Sequence, residues 1–182
     1  MSSAPSRAPC RACRSSSDPA AVAQPFTIRA HRIGDIGHVI GRHGALYHAE
    51  YGWNGGFEAL VAEIGAAFIR DFDPARECCR IGEIGGRVMG SAFVMRKSNA
   101  VAQLRLVYVE PEARGFGLGR ALVRDCLTFA RGAGYSGMTL WTNDILHAAR
   151  RIYEREGFCL TAEERHRSFG HDLVGQTFDL TF

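Results

Sequence analysis

The apolar residues change period several times along the chain, and each change marks an element. Phe26 to Ile28 reads as a short strand. From Asp35 to Glu50, Ile36, Val39, Ile40, His43 and Leu46 recur at helical spacing. Gly52-Trp-Asn-Gly-Gly56 breaks that pattern as a loop. Phe57 to Asp71 is a second amphipathic helix, and Pro74 follows its end as a stop signal. Three strand-like runs come next: Cys79–Ile84, Arg87–Met95 and Ala102–Val109, the first two joined by a Gly85-Gly86 turn. Gly117 to Gly132 carries two neighbouring apolar stripes (Leu118, Leu122, Cys126, Phe129 and Val123, Leu127, Ala130), a width suited to packing on a sheet. Met138–Thr142 reads as a strand, Leu146–Glu156 as a helix ended by Gly157, and Phe158–Thr161 and Val174–Leu180 as the closing strands.

The order β-α-α-β-β-β-α-β-α-β-β joins meander and crossover connections. It predicts an α/β fold of the mixed-sheet kind, about six or seven strands with helices on both faces. One domain is expected over residues 26–182. Residues 1–25, rich in Ser, Pro, Ala and Arg without apolar period, are expected to be a disordered tail.

Composition narrows the classes. Of 182 residues, 46% are hydrophobic and 23% charged, enough for a substantial core. No apolar run reaches the length of a membrane span, and the first residues lack a secretory h-region, so a cytoplasmic protein is expected. The net charge of +3 is mild and partly due to Arg7, Arg11 and Arg14 in the tail, so no nucleic-acid partner is expected. The six cysteines are then reduced thiols. Cys10 and Cys13 form a CxxC pair with no second pair of ligands nearby, which favours chance spacing over zinc; no metal is expected.

The chemistry concentrates at Leu104–Leu122, LRLVYVEPEARGFGLGRAL. A strand runs into a glycine-rich loop and then a helix, with Arg114, Gly115, Gly117 and Gly119 at alternating positions. The amides of such a loop and first helical turn lack intrahelical acceptors, and the helix dipole adds positive charge there. Together they form a nest for a pyrophosphate. A dinucleotide fingerprint fails because Arg120 stands where its third glycine belongs, and no Gly-Lys-Ser/Thr occurs for a P-loop. A plain helix-starting turn is the alternative.

Leu106-Val-Tyr-Val-Glu-Pro-Glu-Ala-Arg-Gly-Phe-Gly-Leu-Gly119 resembles motif A of the GCN5-related N-acetyltransferases (GNAT), and Ala148-Ala-Arg-Arg-Ile-Tyr-Glu-Arg-Glu-Gly-Phe158 resembles their motif B. The likeness runs from about Phe26 to the C-terminus in element order. It departs where the family often has an asparagine seven residues before the tyrosine: Leu146 stands there, and Asn143 lies three positions earlier. Leu140-Trp-Thr-Asn-Asp144 and His171-Asp-Leu-Val-Gly-Gln176 resemble the acetyltransferase domain of MarR-fused members. The 25 or so residues ahead of the domain cannot hold a winged helix, so the enzyme reading is carried over without DNA binding.

The resemblance implies acetyl-CoA as co-substrate and direct transfer to an amine within a ternary complex. Val107, Tyr108 and Val109 would pair with the pantetheine arm, helped by Asn143. Arg114, Gly115, Phe116, Gly117, Leu118, Gly119 and Arg120 would hold the pyrophosphate. Tyr153 is the candidate general acid, its alternative a packing role. Glu50 is the candidate base, with Glu83 or a water chain as alternatives. Tyr47, Tyr51 and Trp53 beside Glu50 suggest an aromatic, anionic pocket for a cationic acceptor, with His171 at its mouth. The acceptor is expected to be a small-molecule amine or amino acid, against a protein lysine or N-terminus, or a non-catalytic acyl-CoA sensor. Monomer and homodimer both remain open.

Overall fold

The computed structural model describes residues 25–182; the expected tail, with Cys10 and Cys13, lies outside the described residues. The elements are β1 (Thr27–Ala30), α1 (Asp35–Tyr51), α2 (Gly55–Asp71), β2 (Cys78–Ile84), β3 (Arg87–Arg96), β4 (Val101–Val109), a 3-10 turn (Pro111–Ala113), α3 (Leu118–Gly132), β5 (Gly137–Asn143), α4 (His147–Arg155), β6 (Cys159–Ser168) and β7 (His171–Thr181). The strands form one mixed sheet in the order β1-β2-β3-β4-β5-β7-β6. Every neighbouring pair is antiparallel except β4 and β5, which the α3 crossover makes parallel.

Each face of the sheet has its own core. The two stripes of α3 bury Leu118, Leu122, Val123, Cys126 and Leu127 against Ala92, Val94, Ala102, Leu104, Met138 and Leu140. Tyr153 and Phe158, from α4 and the turn after it, extend this layer. On the opposite face Ile36, Val39 and Leu46 of α1 and Phe68 of α2 pack on Ile81, Phe93 and Tyr108. Burying each such side chain is worth about 1.5–3 kcal/mol. That is why amphipathic stripes decide which way the helices turn.

Two irregularities shape the centre. β4 pairs with β5 only from Val101↔Gly137 to Leu104↔Leu140, after which the strands part. Along its other edge β4 stays on β3, but with a bulge: Ser91 faces Tyr108 and Phe93 faces Arg105, so two β4 residues oppose Ala92. Leu106 takes φ +47° in this bulge, a conformation L side chains rarely adopt. The Ser91 hydroxyl donates to its carbonyl at 2.8 Å and fixes the distortion.

The last hairpin differs from the sequence expectation. Instead of strands at 158–161 and 174–180, β6 runs to Ser168 and β7 starts at His171. The two-residue turn has φ +58° at Phe169 and +89° at Gly170, the positive pair that a twisted hairpin favours. β6 is a sheet edge, exposed along most of its length. It therefore shows no alternation that a sequence reading could detect. Phe169 is held in its strained conformation by ring contacts to Trp53 and Phe57, at 4.9 and 5.2 Å.

Gly90 sits beside the bulge, paired with Val109. A Cβ there would lie 2.7 Å from the Tyr108 carbonyl oxygen, a backbone atom that cannot move without moving β4. Gly90→Ala should therefore destabilise the fold by about 1–3 kcal/mol, read from the midpoint of urea unfolding.

Candidate active site

Where β4 leaves β5, its outer edge has no strand partner, and two clefts meet there. The first lies between the C-terminal end of α1, the loop after β4, and α4. It is lined by Tyr47, Glu50, Tyr51, Val107, Tyr108, Val109, Arg114, Gly115, Gly117, Leu118, Gly119, Arg120, Leu146, Ala149 and Ile152, among others. Gly115 and Gly117 both take φ +84°, and the position of a missing Cβ is open space at each. These glycines turn the backbone so that the loop ends as the cap of α3. Gly119 has another reason: a Cβ would meet Ile152 and Val109 at 3.1 and 3.2 Å, so its smallness lets α3 approach α4 and β4.

Among the described residues, the amides of Gly115, Phe116, Gly117, Leu118, Gly119 and Arg120 donate to no backbone acceptor; intrahelical bonding begins with Ala121 to the Gly117 carbonyl. The Phe116 side chain is exposed and the Leu118 side chain is buried in the core, so these two can serve a ligand through the backbone. Arg114 is ion-paired with Glu50 at 2.6 Å and Arg120 with Glu156 at 2.5 Å, each arginine about half exposed. Such surface pairs are worth about 0–1 kcal/mol, so either guanidinium can turn to an arriving phosphate at little cost.

The second cleft opens on the α1–α2 side. Its lining includes His43, Tyr47, Trp53, Phe57, Leu60, Arg105, Leu106, Trp141, Asn143 and Tyr153. Tyr47, Val107, Leu146 and Ala149 line both clefts, so the two are continuous through the parting of the strands. Tyr153 reaches this junction from α4. It is 6% exposed, and its hydroxyl makes no hydrogen bond to another described residue. Burial pushes its pKa, and that of Tyr47, above the ordinary 10.0, and Tyr47 feels the charge of an ionised Tyr153. Both phenols are therefore protonated at neutral pH.

Several sequence expectations are redistributed. Glu50 and Tyr51 lie in the first cleft, where the Glu50 carboxylate faces Arg114 rather than the aromatic wall. Among the described residues no carboxylate lines the second cleft; Tyr47, Glu50 and Tyr51 share the first cleft while Trp53 lines the second, so the expected cluster is divided between the two. Trp53 sits inside a ring cluster with Tyr47, Phe57 and Phe169. Asn143 also lines the second cleft, but its Oδ1 is engaged at 2.9 Å by His166 Nε2, whose Nδ1 lies 2.9 Å from the Ser168 hydroxyl. His171 lines neither cleft; it donates from Nε2 to the Gly52 carbonyl at 3.2 Å and pins the hairpin to the loop after α1. Glu83, the other carboxylate considered, is bound to Arg29.

Sequence reasoning missed Phe57, Arg105 and Trp141 as lining residues. Arg105 carried a signal, as the one charge inside an otherwise apolar and amide-bearing strand.

A family model described as the Acetyltransferase (GNAT) family matches residues 45–158, from the last turns of α1 to the residue before β6. The chain belongs to the GNAT family. Among curated relatives of this GNAT protein, N-acetylaspartate synthetase of Danio rerio is 31% identical over 99 residues, covering 54% of this chain and 34% of that one. N-acetyltransferase family 8 member 3 of Rattus norvegicus is 34% identical over 91 residues, 47% of this chain and 40% of that one. The chain thus spans well under half the length of these relatives. Among solved structures, yncA of Salmonella typhimurium, determined with its cofactor acetyl-CoA, superposes with a TM-score of 0.67 at 25% identity, covering 86% of this chain and 94% of the other.

His43 shows how the site constrains stability. It is 2% exposed, donates from Nδ1 to the Val39 carbonyl at 3.0 Å, and burial pulls its pKa from 6.5 to about 4. The folded value lies below the unfolded one, so the neutral ring stabilises the fold above pH 6.5, and this contribution is lost as pH falls towards about 4. It amounts to at most about 3 kcal/mol. Chemical denaturation across this pH range should show a steeper acid loss for the native protein than for His43→Leu.

Proposed function

We propose that this GNAT protein transfers the acetyl group of acetyl-CoA to a primary amine of a small molecule, both substrates being bound at once. The observation that carries the proposal is the junction of the two clefts at Tyr47, Val107, Leu146 and Ala149, with six free amides rimming the first cleft. Those amides, the positive end of α3 and the open space over Gly115 and Gly117 fit a diphosphate. The presence of acetyl-CoA in the yncA structure supports the same ligand here.

When bound, acetyl-CoA supplies an activated thioester; the remaining work falls to the chain. The outer edge of β4 at Val107–Val109 pairs with the pantetheine arm as an added strand. A free N–H of that edge stabilises negative charge on the thioester oxygen as the amine attacks. Tyr153 gives its phenolic proton to the departing sulfur, and its raised pKa keeps that proton in place at neutral pH. Among the described residues no carboxylate lines the acceptor cleft, and in this reading water receives the amine's proton. Holding both reactants at one junction accounts for most of the acceleration.

An acceptor of small size is supported by the aromatic enclosure formed by Tyr47, Trp53, Phe57 and Trp141. The two segments that resemble MarR-fused members, 140–144 and 171–176, bear on this side. Trp141 and Asn143 line the cleft, and His171 anchors the hairpin beside it. We place the acceptor chemistry nearest to that subgroup.

Tyr153→Phe should keep acetyl-CoA affinity and lower kcat by about 100-fold, measured by thiol release from acetyl-CoA in the presence of a free primary amine that the native protein acetylates. Unchanged turnover removes the acid role. Gly117→Asp, which adds bulk at a positive φ and a negative charge among the free amides, should weaken acetyl-CoA binding by at least about 100-fold in calorimetry. Normal affinity would defeat the assignment of the loop.

A further inference from the structure

Among the described residues, the partly buried arginines other than Arg105 all have partners. Arg29 meets Asp35 and Glu83, Arg42 grips Glu110 with two nitrogens at 2.7 and 2.8 Å, and Arg80 meets Asp125. Arg105 departs from this rule. It is half-buried, yet among the described residues it has neither an ion-pair partner nor a hydrogen-bond acceptor. Burial lowers its pKa, and no neighbouring charge offsets the effect. A guanidinium removed from water without an anion is unfavourable, and nothing in the packing of the sheet requires one.

Its position explains what it can do. Arg105 is the first β4 residue beyond the last pair with β5, Leu104↔Leu140. Among the described residues it is the only permanently charged one lining the acceptor cleft. Trp141 is the first β5 residue past the same pair and lines the cleft with it. The Trp141 ring lies directly on Gly175, where an added Cβ would come within 2.7 Å of it. The contact fixes the ring against β7. Among the described residues the cleft therefore offers an unpaired cationic donor and no anion.

Such a cleft discriminates between amines. A plain alkylammonium or a polyamine finds no counter-charge and is repelled by Arg105. An amine that also carries a carboxylate finds a bidentate partner, and the nearby guanidinium favours the neutral form of its amino group, the form that attacks. We propose that Arg105 anchors the acceptor's carboxylate, and that the acceptor is an amino acid or similar carboxylate-bearing primary amine whose side chain lies against the aromatic wall. The inference rests on the acetyltransferase reading above and narrows its substrate class.

The test uses matched ligands: amino acids with small, aliphatic and aromatic side chains, each beside its decarboxylated amine. Turnover by the native protein should favour the amino acid by at least about tenfold in kcat/KM, about 1.4 kcal/mol. Arg105→Gln should raise KM for the amino acid more than it lowers kcat and bring the ratio near one, with Arg105→Lys in between. Equal use of both members of every pair by the native protein overturns the proposal, without recourse to a variant. So does a preference that survives Arg105→Gln. A second readout needs no chemistry: calorimetric binding of N-acetylated amino acids against N-acetylated amines, with coenzyme A present. If no amine is turned over but the acetylated amino acids bind selectively and Arg105→Gln abolishes this, the acetyltransferase reading fails and the anchor stands. Loss of selectivity in this readout sinks the anchor alone.

Discussion

Two parallel strands that pair for four residues and then separate leave polar backbone in the middle of a sheet. Such groups demand a partner, and a fold that withholds one must supply water or a ligand instead. The parting of β4 from β5 is thus the constraint on which the rest depends. It makes the edge at Val107–Val109, opens a path between the two faces, and lets Tyr153 pass from the α3–α4 layer to the junction. The bulge at Leu106, tied to Ser91, bends β4 away while its pairing with β3 continues. The glycine loop then starts where β4 ends, so the anion site and the open edge share one segment of chain.

Around this opening the protein combines strong and weak attachments. The Arg42–Glu110 pair, with Glu110 only 6% exposed, holds α1 to the end of β4 in a bidentate contact. The Glu50–Arg114 and Glu156–Arg120 pairs are more exposed at the arginine and weaker. The first keeps the frame in register; the others can yield to a ligand. On the acceptor side the ring cluster of Tyr47, Trp53, Phe57 and Phe169 supplies rigidity without charge.

The legible parts of this architecture were those with a period or a forced backbone. The two stripes of α3 bury as their spacing requires, and the alternating glycines mark the turn that caps it. Element order carried much of the sheet, because parallel neighbours such as β4 and β5 need a crossover and α3 supplies it. What escaped had no local signature. β6 is polar on both faces because it is an edge, and Phe169 occupies a turn position whose strain only the distant Trp53 and Phe57 offset. Glu50 shares a cleft with Tyr47 and Tyr51, and its direction is set by Arg114, a residue 64 positions away that no local pattern links to it. His171 resembled a polar group at a site mouth, and the structure makes it a fastener for the hairpin.

The walls of the acceptor cleft come from pieces with separate origins: the loop after α1, the start of α2, and the residues of β4 and β5 beyond their last pair, with the hairpin tip braced behind them. None of them contains the free amides of the glycine loop. In the proposed reading, substitutions at Trp53, Phe57, Arg105 or Trp141 would alter the acceptor cleft while leaving the glycine loop intact. A fold built this way can change one half of its cleft system without disturbing the other, because among the described residues the two halves share only Tyr47, Val107, Leu146 and Ala149.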